Sequence, residues 1–273
     1  MSKKMHAPSL LLTATVICAG LYAIGCYTTA YIPSPWGFGQ FRPAVIIPAF
    51  FATIFGPLPA AVGAAIGTLI ADSVKHGQLY LGSLIAAVPG NFIGFYIFGY
   101  ILKKKFNWTR FIIASLITLT VANLIVAFLY IFVFKFLYLQ ALNLPLEALT
   151  YLSIGLTIWW FVTMLPFVLL VTPPLIRAVA SAFPSVVPEE VRVHSLADEI
   201  PKITFSLAML IPGLILLLIG LTTTFTILGT YTVNFFGETT TAFIELMYYL
   251  SGAVLSFLGL FALVGQKLSK SEG

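Results

Sequence analysis

Long apolar runs separated by short polar connections set the pattern of this chain. A helix needs roughly 20 apolar residues to cross about 30 Å of hydrocarbon. Six runs reach that length comfortably: Ser9–Tyr31, Leu81–Leu102, Phe111–Phe134, Tyr151–Val171, Ile203–Thr223 and Ala242–Gly265. Pro59–Lys75 makes a seventh, slightly short. Arg42–Phe55 is shorter still, about 21 Å as a helix, and Pro48 interrupts it. Irregular backbone at membrane depth must be shielded by protein, so this segment is expected as a short or broken helix, spanning or re-entrant, covered by its neighbours. Gly56-Pro57-Leu58-Pro59 reads as the turn into the next helix.

Three connections exceed a turn. Ile32–Phe41 is rich in Gly and Pro and carries Trp36, Phe38 and Gln40. Ala180–Lys202 holds Pro184, Pro188 and Pro201 with Glu189, Glu190, Asp198 and Glu199, and Thr224–Thr241 is rich in Thr and aromatics. The second divides the chain best. The expected organisation is a six-helix core over 1–180, a polar loop over 181–202 and a helical hairpin with tail over 203–273. No internal repeat is evident. The fold class is all-α integral membrane, with eight membrane segments of which the second is short or broken.

Composition removes the soluble alternative. The chain is 60% hydrophobic and 8% charged, against about 25% charged in a soluble domain, so lipid is its main solvent. The apolar run after Lys3 and Lys4 exceeds a signal peptide's and lacks a small-residue cleavage site, so it is read as a retained first span. Charge then orients the spans. With eight passes and a cytoplasmic N-terminus, eleven basic residues lie inside (Lys3, Lys4, Lys103, Lys104, Lys105, Arg110, Arg177, Arg192, Lys202, Lys267, Lys270). Three lie outside: Arg42, Lys75 and Lys135. Treating Arg42–Lys75 as one pass reverses that balance, so the positive-inside rule selects cytoplasmic N- and C-termini of a multi-pass cell-membrane protein. The basic groups sit between apolar runs, so the net charge of +5 does not point to nucleic acid.

Several chemistries are missing from the sequence. No Gly-rich phosphate loop is present, so the chain is not expected to hydrolyse ATP. His6, His76 and His194 are isolated, no nucleophile elbow occurs, and no cofactor or metal is implied. Cys18 and Cys26 lie roughly 12 Å apart along one helix, too far for a disulfide. The Asn107-Trp108-Thr109 sequon falls on the cytoplasmic side and carries no meaning there. Glu189 and Glu190 read as a solvated stretch.

Polar groups at membrane depth carry more weight, because burying them is costly. Asp72, Lys75 and His76 close one end of the third segment, either as an interfacial cap in which Lys75 snorkels and pairs with Asp72, or as part of a site. Asn91 and Asn123 lie near the middle of their spans, as interhelical bonds or ligand contacts. Trp159 and Trp160 start a third of the way down theirs, one turned to lipid and the other inward. With the orientation above, Trp36, Phe38, Gln40, Arg42, Asp72, His76, Asn91 and Trp159 or Trp160 share the outer half. An outward-open polar and aromatic cavity of this kind suits capture of a small flat polar molecule. Small residues four apart, Ala19 and Ala23, Gly63 and Gly67, Gly90 and Gly94, mark faces where helices approach closely.

The run Phe41-Arg42-Pro43 through Phe55-Gly56-Pro57 to Gly63, Gly67 and Asp72, with Pro89-Gly90-Asn91-Phe92-Ile93-Gly94 after it, resembles the substrate-capture (S) components of energy-coupling factor (ECF) transporters. Residues 9–180 carry the resemblance. It implies a six-helix core that takes a small organic micronutrient, a vitamin or precursor, from outside. A transmembrane coupling subunit and two cytoplasmic ATPase subunits would drive release. It also implies that Ala19 and Ala23 dock that coupling subunit and that the first loop is a lid. The hairpin over 203–265 departs from the six-helix pattern. The metal-transporting branch needs an external N-terminal histidine, and His6 lies on the cytoplasmic side, which disfavours cobalt or nickel. Two other classes stand beside this one: a self-contained ion-coupled carrier, and a membrane enzyme or assembly factor using Glu238 and Glu245.

Overall fold

The computed structural model describes residues 7–271, with side chains to residue 264. Lys3, Lys4 and His6 lie outside the described residues, as do the side chains of Lys267 and Lys270. The described chain is helical, and seven helices are long and apolar enough to cross a membrane. An eighth apolar helix, Pro43–Phe55, is shorter. The residues group into two compact units, one running to Ile32 and from Gln40 to Glu199, the other made of Pro33–Gly39 and the chain from Ile200 onward.

In the first unit, α1 (Pro8–Thr28) starts on a proline, which the first turn tolerates because its N–H has no partner there. A tight turn, Pro43–Val45, feeds α2 (Ile46–Phe55). Pro48 does not interrupt this segment: it occupies the first turn of α2, where a missing N–H costs little. Residues Pro48 to Ile54 are all buried, so the short helix is wrapped by protein. Gly56, at φ +87°, reverses the chain into α3 (Pro57–His76). Gly77, at φ +69°, ends α3 by donating to the Ser73 and Val74 carbonyls.

Two helices then show wide, π-type turns. Ser83–Ala87 precedes α4 (Val88–Lys104), and Leu129–Tyr138 extends α5 (Trp108–Phe128). The Asn107 side chain caps α5 by accepting the Arg110 N–H at 2.8 Å. α6 (Leu146–Ala182) runs 37 residues through Pro166, Pro173 and Pro174, well past the predicted Tyr151–Val171. Packing against neighbours lets such a helix continue through proline.

Glycines set the closest crossings. A Cβ on Gly67 would lie 2.7 Å from the Ala19 carbonyl oxygen, and one on Gly63 would lie 2.7 Å from Cys18. On α4, Gly94 faces Ala122, and the Thr118 hydroxyl donates to the Gly94 carbonyl at 3.0 Å. Ala19 (6% exposed) and Ala23 (7%) are therefore buried inside the chain, and the small face of α1 is used by α3. They offer no open face to a docking partner. A backbone approach this close needs small residues on both helices, and the two motifs supply them to each other.

The polar connection 181–202 is structured. It contains α7 (Glu189–Ala197), in which Glu189 is exposed while the half-buried Glu190 carboxylate accepts the Phe106 N–H at 2.8 Å. Trp108 Nε1 donates to the Asp198 carbonyl at 3.1 Å, and Arg177 donates to the Ser195 and Asp198 carbonyls. The α4–α5 turn, the end of α6 and α7 are thus tied together.

In the second unit, α8 (Lys202–Phe225) and α10 (Glu238–Ser271) form a hairpin joined through α9 (Ile227–Phe236). Gly213 lies against Ser256 and Gly252, and Gly259 against Leu210 and the Ser206 carbonyl. The Thr224 and Tyr249 hydroxyls meet at 2.9 Å. α9 falls where the sequence suggested only a loop.

Candidate functional site

The polar groups of the first unit meet where α1 ends, α2 begins and α3 ends. Thr68 and Asp72 stand one turn apart on α3, on one face. Arg42 precedes α2 and reaches across to both. Its guanidinium pairs with the Asp72 carboxylate, donates to Thr68 Oγ1 at 2.6 Å and to Gln40 Oε1 at 3.1 Å. Arg42 is 9% exposed and Asp72 5%. Away from water, each charge tolerates burial only because the other is there.

Asp72 therefore pairs with Arg42 and not with Lys75, the alternative its position on α3 suggested. Lys75 instead donates to the Ala30 carbonyl at 2.6 Å and sits over the Tyr31 ring. A flexible lysine reaches the nearby carbonyl, while the planar guanidinium matches the carboxylate and hydroxyl together.

α6 contributes the second wall. Trp160 Nε1 donates to the Gln40 carbonyl at 2.9 Å, and Phe41 packs edge-on to Phe167. The indole N–H of the neighbouring Trp159 is buried and makes no hydrogen bond. From α1, the Tyr22 hydroxyl contacts Asn91 Oδ1 at 3.4 Å, while Asn91 Nδ2 donates to the Ala87 carbonyl. Gln40, Arg42, Asp72 and Trp160 thus form one bonded group, and a separate contact joins Asn91 to Tyr22.

The other candidates sit differently. His76 is exposed; its Nδ1 donates to the Asp72 carbonyl at 2.7 Å, and its ring stacks on Tyr80 with centroids 3.8 Å apart. Asn123 is buried and bonds to Met164 Sδ at 3.6 Å, joining α5 to α6. Trp36 and Phe38 belong to Pro33–Gly39, in the other unit.

Sequence reasoning missed Thr68, Tyr22, Tyr80 and Tyr130. Thr68 was within reach, since it lies four residues before Asp72. The tyrosines gave no signal among so many aromatics. Tyr80 and Tyr130 meet hydroxyl to hydroxyl at 3.1 Å, and Phe134 packs edge-on against Tyr80. Gly82 makes room, because a Cβ there would press on both the Phe134 and Tyr80 rings. Burial pushes the Tyr80 phenol above its usual range, the bond to Tyr130 partly offsets this, and the Asp72 charge adds to the rise. This aromatic group adjoins both wide-turn segments, a backbone irregularity frequent at functional sites.

Among the described residues, no group of three or more His, Cys, Asp or Glu side chains is placed to hold a metal. No family model matches the sequence, and comparison with curated proteins and with solved structures finds no match.

Proposed function

We propose that this chain is the substrate-capture subunit of an ECF-type uptake transporter, binding a small organic micronutrient at the first-loop end of its six-helix unit. The observation that carries this reading is the junction at that end. A short wrapped α2, a Gly/Ala-rich α3 carrying Thr68 and Asp72 near its end, and the Trp160 indole of α6 converge on Gln40 and Arg42. The neighbouring Trp159 carries a buried indole N–H without an acceptor. The ECF part of this reading comes from the sequence resemblance over residues 9–180, and the junction supplies the candidate binding site.

In this proposal the basic residues hold the α4–α5 turn and both termini in the cytoplasm of the cell membrane, and the first loop faces outward. A coupling subunit and two ATPase subunits supply the energy. Ala19 and Ala23, which the resemblance assigns to docking, are buried within the chain.

The test is mass spectrometry of small molecules retained by the purified chain, together with identification of co-purifying subunits. A retained vitamin-like molecule and ATPase partners are expected. An empty preparation without partners counts against the proposal. One observation favours a second reading: the buried Arg42–Asp72 pair is a feature common in ion-coupled carriers. Gradient-driven uptake into liposomes by the chain alone selects that reading instead.

A further inference from the structure

The first loop is bonded within itself, Gly37 N–H donating to the Ser34 carbonyl at 2.9 Å and Ser34 N–H to the Gly39 carbonyl at 3.3 Å, and it is held separately at its two feet. On the α1 side, Lys75 Nζ donates to the Ala30 carbonyl at 2.6 Å. On the α2 side, Thr68 and Asp72 hold the Arg42 guanidinium, and Trp160 holds the Gln40 carbonyl. The feet are also tied to each other. Phe41 N–H donates to the Ile32 carbonyl at 2.9 Å, and Thr29 Oγ1 donates to the Phe41 carbonyl at 2.8 Å.

Thr68, Asp72 and Lys75 are spaced four and three apart, so they share one face of α3. A single helix end therefore grips both feet. From this we infer that the end of α3 is an anchor post for the first loop, and that Arg42 and Lys75 are positioning residues that fix its feet, not ligands for substrate. The inference takes from the capture reading only the idea that the loop covers a site.

The charges argue the same way. A substrate anion that took the Arg42 guanidinium would leave Asp72 buried and unpaired, which is strongly unfavourable. Between the feet lies Pro33–Gly39, where Gly37 and Gly39 adopt left-handed backbone at φ +73° and +71°, a conformation glycine reaches without strain. The Ser34 hydroxyl donates to the Phe38 carbonyl there, so the segment is a closed turn carried on the two feet that α3 fixes.

Amide exchange read by NMR on the full chain in lipid nanodiscs, with no ligand added, tests this. Asp72→Asn is expected to speed exchange at the Phe41 amide on the order of tenfold and to move the Trp160 indole N–H resonance, assigned with Trp160→Phe. Arg42→Lys keeps a cation opposite Asp72 and is expected to preserve much of the protection. The exchanged pair Arg42→Asp with Asp72→Arg is expected to restore it. Unchanged Phe41 exchange in a folded Asp72→Asn chain overturns the inference. Should that variant fail to fold, Lys75→Met carries the test: the Ile32 N–H donates to the Thr29 carbonyl at 3.2 Å, faster exchange there supports the anchor, and unchanged exchange refutes it. Because no substrate enters the measurement, a chain that retains no micronutrient sinks the capture reading and leaves this result standing.

Discussion

At the first-loop end of the first unit the helices are joined by charged and polar bonds, and in the C-terminal hairpin chiefly by small-residue packing. At the first, an ion pair, a hydroxyl, an amide and an indole bond one another away from water. In the hairpin, no charged residue occurs between Lys202 and Glu238, Glu245 lies about two turns into α10, and Gly213, Gly252 and Gly259 bring the α8 and α10 backbones together beside the Thr224–Tyr249 hydroxyl contact. Small-residue packing is enough to join two helices in lipid. Charges at depth are expensive and are kept where they do something beyond joining helices. The contrast supports the proposed placing of the candidate site in the first unit.

The largest effect should come from breaking the ion pair on one side. Asp72→Leu leaves the Arg42 charge buried and alone, a loss of about 3–5 kcal/mol. Thermal unfolding in detergent should show a large drop in midpoint. A midpoint near the parent's would mean that water reaches Arg42 and that the contrast between the two regions is overstated.

An intermediate effect should come from matched glycine changes. Gly67→Val drives a side chain toward the Ala19 carbonyl, and Gly259→Val drives one toward the Ser206 carbonyl. Overpacking of this kind costs about 1–3 kcal/mol. Both variants should lose stability, but only Gly67→Val should also disturb the Trp160 indole resonance. Equal disturbance from both would show that the hairpin shapes the first-loop end.

Asn123→Leu should have the smallest effect. Its bond to Met164 sulfur is weak, and interhelical polar contacts in membranes average about 0.6 kcal/mol. A small change in midpoint and intact small-molecule retention are expected. Loss of retention would move Asn123 from interhelical contact to ligand contact.

Much of the fold was legible in the chain. The apolar runs gave each long helix to within several residues at most ends, and Gly56-Pro57 gave the turn into α3. The extra length of α6 was not legible, because its flanking turns are more polar and its prolines read as stops. α7 and α9 were missed because each has ten residues or fewer, too short to stand out against the spans beside them. In the candidate site, Gln40, Arg42, Asp72 and Trp160 were each singled out, but not the bonds that connect them. Ala19 and Ala23 were legible as a small face, but that α3 lies against Ala19 was not.

What the sequence determined by itself is the set of helices long and apolar enough for a bilayer. Transfer to hydrocarbon is nearly additive over neighbouring residues, so a local window suffices. What only the tertiary structure decided is who meets whom: Arg42 with Asp72 across 30 positions, Lys75 with Ala30, and the small face of α1 with α3. Those choices depend on how each helix is rotated about its axis. That rotation is fixed by close packing against neighbours far away in the chain, and no local pattern records it.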